Sequence, residues 1–258
     1  MILSRRVALN GVQLDGIHSA VVIRGVDTGV PKESIQAVNR MGGAGQRVTT
    51  QHWETLDVSV DFAINVPAGQ MALRRQIWED VMAWAIPGGW LTVDHLPDRR
   101  MWADKVILPG SGDLWEWTES FRLTFRAYSV PFWQTVNPAV VAARGVSSWS
   151  GTLGVPGHFR TVADVTFHNN GSTCTSFSVN CGGNVIALSG ISLASGADLK
   201  IWHGTDGLLR MTAGGVSVYN KRTAGSADDL YMEPGTASVS ITAPQAGNVT
   251  VECYGRYA

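Results

Sequence analysis

Charge is scarce in this chain. Asp, Glu, Lys and Arg make up 16% of its 258 residues, and the 21 acidic and 20 basic side chains nearly cancel. A formal net charge of −1 excludes general nucleic-acid binding, which needs clustered Lys and Arg to displace phosphate counterions. Cysteine is equally sparse. Cys174, Cys181 and Cys253 are too few and too far apart for a disulfide framework or a zinc site, and an odd count fits a reducing compartment. No apolar run approaches the length of a membrane-spanning helix, so membrane insertion is not expected. The opening MILSRRVALN has no apolar core region and no small-residue cleavage site, so no secretory signal is expected either. Catalytic signatures are missing too: no nucleophile elbow, Walker loop, His-Glu-x-x-His or dinucleotide-binding glycine pattern occurs. The six histidines (His18, His52, His95, His158, His168 and His203) are scattered and read as turn or surface residues, since a metal site needs several ligands together. No catalytic, metal or cofactor residue is nominated.

What the chain does have is a 45% hydrophobic content, enough for a folded protein, and a change of texture part-way along. Residues 1–136 hold 27 of the 41 charged residues and eight of the ten tryptophans. Residues 137–258 hold all three cysteines and 17 of the 29 glycines. Two domains, 1–136 and 137–258, joined just after Pro131-Phe132-Trp133, are the simplest account.

The first half reads as α+β. Leu56, Val58, Val60, Phe62 and Ile64 alternate with Asp57, Ser59 and Asp61, and Phe121 to Ala127 alternates likewise, as strands with one buried face do. Between them Leu73, Ile77, Val81 and Trp84 predict a helix over 68–85, opened by Pro67, stopped by Pro87-Gly88-Gly89 and widened in its core by Trp78. Trp90 joins the expected core. Ala20–Arg24, Trp90–Asp94 and Met101–Leu108 are further expected strands. Asp27 to Gln46 has no period and reads as a long loop or a projecting hairpin, a candidate arm reaching a neighbouring subunit. The second half shows only short alternating runs about ten residues apart, which predicts an all-β sandwich. The expected fold class is therefore mainly β with one helix.

Few residues invite a chemical role. Met41-Gly42-Gly43-Ala44-Gly45 lacks the Lys-Ser/Thr and following helix of a phosphate loop. Asp57 and Asp61 lie about 13 Å apart on a straight strand, too far for a glycosidase pair. Asp228-Asp229 offers two carboxylates, fewer than Ca²⁺ needs, and reads as a turn and cap. The tryptophans are harder to set aside. Trp53, Trp102, Trp115 and Trp117 sit near turns or strand ends, where large aromatics cap a core or anchor an interface. With Gly42 and Gly43 they form the candidate subunit-interface set. Trp149, Trp202 and Tyr231 are weak candidates for stacking on sugar rings.

Three stretches together resemble a known family: the strand–helix–hairpin order over Thr55–Ile64 and Met71–Trp84, the run Arg126-Ala127-Tyr128-Ser129-Val130-Pro131-Phe132-Trp133, and Gly225-Ser226-Ala227-Asp228-Asp229-Leu230-Tyr231-Met232-Glu233-Pro234-Gly235-Thr236 with the closing Val249–Tyr257. Their order is similar to that of the distal tail (Dit) proteins of long-tailed bacteriophages. The resemblance implies an N-terminal ring-forming (belt) domain, a homo-hexamer that continues the tail tube and carries the tail-tip hub. It implies a C-terminal galectin-like or carbohydrate-module-like β-sandwich hung outside, with Asp228, Asp229, Leu230, Pro234 and Gly235 as its signature turn and Pro131, Phe132 and Trp133 as the interdomain junction. It implies a structural, non-enzymatic role in the virion tail tip after assembly in the host cytoplasm. The expected partners are copies of itself, the tail tube protein, the hub or tail-associated protein, and receptor-binding proteins or host saccharides. One departure is Thr236, where family members usually carry Asn. The alternatives are a carbohydrate-binding or adsorption protein acting through its sandwich, a tail tube protein, and a glycan hydrolase, for which no carboxylate pair can be nominated.

Overall fold

A computed structural model of the protein describes residues 6–39, 46–67, 69–109 and 120–258. The chain divides into two compact units, residues 1–133 with Ala258 and residues 134–257. Both are built mainly from β-strands, and one α-helix occurs among the described residues.

In the first unit the elements are β1 (Val7–Leu9), β2 (Val12–Gln13), β3 (Val21–Asp27), β4 (Lys32–Asn39), β5 (Gln46–Ile64), α1 (Met71–Ala85), β6 (Gly89–Val93), β7 (Arg99–Ala103), β8 (Lys105–Ile107) and β9 (Phe121–Ala127). One sheet contains β2-β1-β6-β7 in that order, and a second runs β3-β5-β9-β8, with β4 added to the first part of β5. The alternation of β5 decides its register. Leu56, Val58, Val60 and Phe62 stand opposite Ala127, Phe125, Leu123 and Phe121 of β9, and all eight are buried. Each large apolar side chain in this layer contributes about 1.5–3 kcal/mol of burial before chain entropy is counted. The helix lays Ile77, Val81, Met82 and Ala85 into the core and meets Phe125 through Trp84, the two rings 6.0 Å apart and edge-on.

The helix begins at Met71 because Pro67 to Gln70 closes a turn first, with the Gln70 N–H on the Pro67 carbonyl at 3.2 Å. Its end is set by Asn10, whose side chain donates to the Gly88 carbonyl at 3.0 Å and accepts the Trp90 N–H at 2.9 Å. Trp78, Trp84 and Trp90, expected in the core, are only half-buried, whereas Trp133 is fully buried. The buried stripe of α1 is filled by smaller residues, and the Trp84 indole is drawn to the rim, where its N–H donates to the Val12 carbonyl at 3.1 Å. The run expected over 101–108 is two strands, broken at Asp104, whose carboxylate leaves the ladder to accept the N–H groups of Tyr128 and Ser129.

Strand β10 (Trp133–Thr135) spans the division. The second unit then contains β11 (Ala139–Val155), β12 (Thr161–Asn169), β13 (Cys174–Cys181), β14 (Asn184–Leu193), β15 (Asp198–His203), β16 (Leu209–Ala213), β17 (Val216–Ser217), β18 (Tyr231–Met232), β19 (Gly235–Cys253) and β20 (Arg256–Tyr257). The main order is β14-β13-β19-β12-β15-β16-β17, with β11 on β19 and β18 on β12. Two runs that read as separate strands in the sequence are one, β19, and it organises the unit. Val239–Thr242 pairs with β13, Gly247–Cys253 pairs with β12, and β11 runs along the other edge. With β13 and β12 placed end to end along one strand, the sheet curls and brings the rings of Phe167 and Phe177 to 5.1 Å. The core so formed takes a buried residue from nearly every strand, including all three thiols.

Cys174 and Cys181 face the same core, although seven positions on one straight strand point to opposite sides. A bulge between Cys174 and Ser176 resets the alternation. All three thiols are free. Burial pushes Cys181 up to about 12 and Cys253 up to about 11, and raises Cys174 as well.

One glycine is fixed by a close approach. At Gly29, φ is +55° and a Cβ would sit 2.2 Å from the Asp57 carbonyl oxygen in the middle of β5. Gly11 also has positive φ, +82°, but nothing lies within 4 Å of its Cβ position. Gly29→Ala is therefore expected to cost roughly 2–4 kcal/mol and Gly11→Ala about 1 kcal/mol, read as the difference in denaturation midpoint of the full chain.

Candidate functional site

Two features of the first unit bear on function. The first is the polar face of the β5–β9 pair. Asp57, Ser59 and Asp61 stand opposite Arg126, Thr124 and Arg122. Arg126 grips Asp57 with Nε at 2.5 Å and Nη2 at 2.8 Å, and Lys32 Nζ adds a third contact at 3.0 Å. Arg122 holds Asp61 through two bonds of 2.7 and 2.9 Å, and Ser59 shares a hydroxyl contact of 3.2 Å with Thr124. The Arg126 hydrogen bonds hold the Asp57 carboxyl below its usual range against the upward push of burial, and Arg122 does the same for Asp61. A general acid at neutral pH needs the opposite shift. This face is a cross-strand ladder of matched polar pairs.

The second feature is a ribbon. From Thr55 back to Gln46, β5 has left β3 and β9 and pairs with β4 alone, through eight register pairs from Lys32↔Thr55 to Asn39↔Gln46. That is about 25 Å of two-stranded hairpin. No residue from Lys32 to Ala37 is buried, and Ile35 is 53% exposed. The segment expected as a loop or projecting hairpin is thus a hairpin. No period is written into 32–37 because none of these residues is buried. Trp53 sits at the base, half-buried and edge-on to Phe132 at 5.7 Å. Trp102 packs edge-on against its register partner Trp90 at 5.3 Å, and the Arg100 guanidinium covers the Trp90 ring at 3.9 Å. Gly42, Gly43, Trp115 and Trp117 lie outside the described residues. Pro131, Phe132 and Trp133 are all buried, and the Trp133 indole donates to the Thr28 carbonyl at 3.4 Å.

The second unit contains a buried charge bridge. His203, at the end of β15, has a side chain only 8% exposed. Its Nδ1 lies 2.8 Å from Asp164 Oδ1 on β12, and its Nε2 lies 2.7 Å from Asp229 Oδ1. The same Asp164 oxygen accepts the His203 backbone N–H at 2.9 Å, and Asp229 accepts the Leu230 N–H at 2.7 Å. Both ring nitrogens face carboxylate oxygens, so both must carry a proton and the ring is an imidazolium. Burial alone would lower its pKa, but the two carboxylates outweigh burial and lift it to about 9. Arg256 lies deep beside the same carboxylates, its pKa lowered by burial and supported by Asp229, Tyr231 and Asp164. Two acids and two cations are thus gathered at one part-buried site. Glu252 on β19 is raised, first by burial and then by the Asp164 charge.

This bridge explains the signature turn. Asp229 is the working carboxylate and Leu230 is fully buried, while Asp228 is fully exposed. Gly235, at φ +114°, starts β19 after Pro234, and Thr236 joins its ladder opposite Gly154. The stacking candidates lie on three different strands. Trp149 on β11 lies flat over Gly151, whose Cβ would meet its ring at 2.3 Å; Trp202 on β15 pairs with Arg210; and Tyr231 on β18 is covered by the Arg160 guanidinium at 4.4 Å.

No protein-family model matches the chain, and no curated protein matches it. Solved structures do. SPP1 Dit, a paradigm of the hub adsorption apparatus in Gram-positive infecting phages, superposes with a TM-score of 0.70 at 14% identity, over 98% of this chain and 99% of its own. The fold is that of SPP1 Dit. A chain of the phage P2 baseplate in its activated conformation with Ca matches with a TM-score of 0.51 at 9% identity, over 97% of this chain and 98% of its own. The likeness extends over both units of the chain.

Sequence reasoning singled out Asp229 but missed His203 and Asp164, which complete its chemistry. The three are 26 and 39 residues apart along the chain. Their common signal was a lone His ending one strand and a lone Asp inside another, both beside apolar neighbours.

Because His203 titrates higher folded than unfolded, its contribution is full below pH 6.5, declines as pH rises and is gone above about 9. The full chain is expected to lose up to about 3 kcal/mol between pH 6 and pH 10 by chemical denaturation, and His203→Gln to flatten that slope. In the first unit, a double-mutant cycle of Asp57→Asn and Arg126→Gln is expected to give a coupling of about 1 kcal/mol at pH 7 that shrinks as acid protonates Asp57.

Proposed function

We propose that this chain is a structural subunit of a phage tail tip or baseplate. Six copies close into a ring that joins the tail tube protein to the distal hub, and the first unit makes the ring while the second is carried on it. The observation that carries this reading is the likeness to SPP1 Dit over the full length of both chains. The residues support it. A two-stranded ribbon of eight pairs is marginal by itself in water and gains stability against a neighbour. In a cyclic ring each subunit gives one patch and receives another, and the β4–β5 ribbon is the patch given. The half-buried Trp53, Trp102 and Trp90 fit the aromatic content of such joints. The role needs no cofactor and no reaction.

The test is the mass and symmetry of the purified protein by light scattering and negative-stain imaging, alone and mixed with tail tube and hub proteins. The expected result is a six-membered ring. Replacing residues 34–52 by an Asn-Gly turn between the register partners Glu33 and Trp53 is expected to leave the unfolding temperature nearly unchanged and to abolish the ring. A chain that stays monomeric alone and beside its partners would falsify the reading, as would a stack of many rings, which would make it a tube protein.

A further inference from the structure

The segment from Arg222 to Tyr231 crosses from β14 to β12, and its two ends are held by different forces. Over 222–229 no residue is buried. This part is fastened to the outer edge of β14 by polar contacts only. The Thr223 N–H donates to the Ala187 carbonyl at 2.9 Å, the Ala227 N–H to the Val185 carbonyl at 2.7 Å, and the Ser226 hydroxyl both donates to the Ala187 carbonyl and accepts its N–H, each at 3.0 Å. Arg222 reaches back to the Ala227 carbonyl. From Leu230 onward the hold is apolar. Leu230 and Met232 are buried, and Tyr231 and Met232 pair with β12. Between the two regimes stands Asp229, tied to the body of the unit through His203.

The tie is asymmetric. Asp164 is held by His203 twice, through the ring and through the backbone N–H, whereas Asp229 is held by His203 once, through the ring, with the local N–H of Leu230 and the nearby Arg256 charge beside it. A neutral imidazole carries one N–H and can serve one carboxylate. On loss of the proton, Asp164 keeps the backbone N–H in either tautomer, whereas Asp229 keeps at most a bond to a neutral imidazole, so the hold on the strap is the one that weakens.

We propose that residues 222–229 are a strap covering the backbone edge of β14, latched by the Asp164–His203–Asp229 bridge and free to open as a unit when the bridge is broken. Opening bares the N–H and C=O groups of Ala187 and the C=O of Val185, an edge able to accept an added strand. The hinge is Leu230. The cost of opening is low because no residue of the strap is fully buried. The groups around the latch decide when it opens. Asp164 on β12 and Asp229 on the strap hold the imidazolium charge. Arg256 adds a cation next to the two acids, and Glu252 on β19 adds an acid near Asp164. Arg160 is occupied over Tyr231, and on the neighbouring β16 Arg210 is paired with Asp206 at 2.7 Å. Among these side chains Arg256 is therefore the one cation left beside Asp229 when the imidazole is neutral. The latch holds at neutral pH, consistent with a His203 pKa of about 9. The strap does not depend on the assembly role proposed above.

Limited trypsin digestion of the full chain tests this, because Lys221 and Arg222 lie at the strap's start. Mass spectrometry separates cleavage there from cleavage at Arg160, Lys200 and Arg210, which lie in or beside the body of the same unit. At pH 7, His203→Gln is expected to raise cleavage at Lys221 and Arg222 roughly tenfold over the native chain, with the other three sites unchanged. In the native chain the strap sites, normalised to the other three, are expected to gain a similar factor from pH 7 to pH 10. If the His203→Gln chain does not fold, this native-chain pH series decides alone. A parallel rise at all five sites means the unit unfolds as a whole and overturns the proposal. So does an unchanged strap rate.

Discussion

A strand persists only while its backbone groups find partners, and β5 meets that requirement in two different ways along its 19 residues. In its second half it lies between β3 and β9, with one face in the core and the other in a polar ladder. In its first half it has β4 and nothing else. The change comes where the alternation of apolar residues stops. Everything distinctive in the first unit follows from that change: a well-anchored sheet, a ribbon that leaves it, and Phe132 packed edge-on to Trp53 at the base. The turn at Thr28-Gly29, which brings β4 back toward β5, is pinned from both sides, by the Trp133 indole on one carbonyl and by the Asp57 carbonyl packed against Gly29.

The second unit rests on a different economy. Its curled sheet offers an apolar interior built by alternation, yet two carboxylates, an imidazolium and a guanidinium sit at one end of it. Charges in such a place stabilise only when matched, and removing any one leaves its partner stranded. The arrangement ties a long connecting segment to a strand it does not pair with, something backbone hydrogen bonds cannot do there. Such a bridge fixes the closing turn to one place, and the stability it adds is present only while the imidazole is charged.

Much of this architecture was legible in the sequence. The strands 55–64 and 121–127, the helix and its glycine stop, and the all-β character of the second half were readable because one face of each element is buried, and burial writes a period into the chain. Where burial is partial the reading fails. Strand β11 was missed because its residues alternate between half-buried and exposed, with only Leu153 and Val155 truly buried. The runs 237–243 and 248–253 read as two short strands, and the curl joins them into the one strand β19. Trp78, Trp84 and Trp90 fit a core stripe by spacing but are too large for it. The charge bridge was half legible: Asp229 stood out in its turn, but nothing local marks a histidine whose partners come from two other elements.

The buried thiols carry a consequence of their own. A sulfur reacts with oxidants, disulfides and electrophiles as its anion, and a Cys181 held near 12 and a Cys253 held near 11 supply almost none of it at neutral pH. No pairing between them is built into the fold, and no exposed sulfur invites one between copies. Burial thereby shields the three thiols from redox chemistry at neutral pH. The molecule can be made in a reducing cell and persist in air without changing its covalent structure.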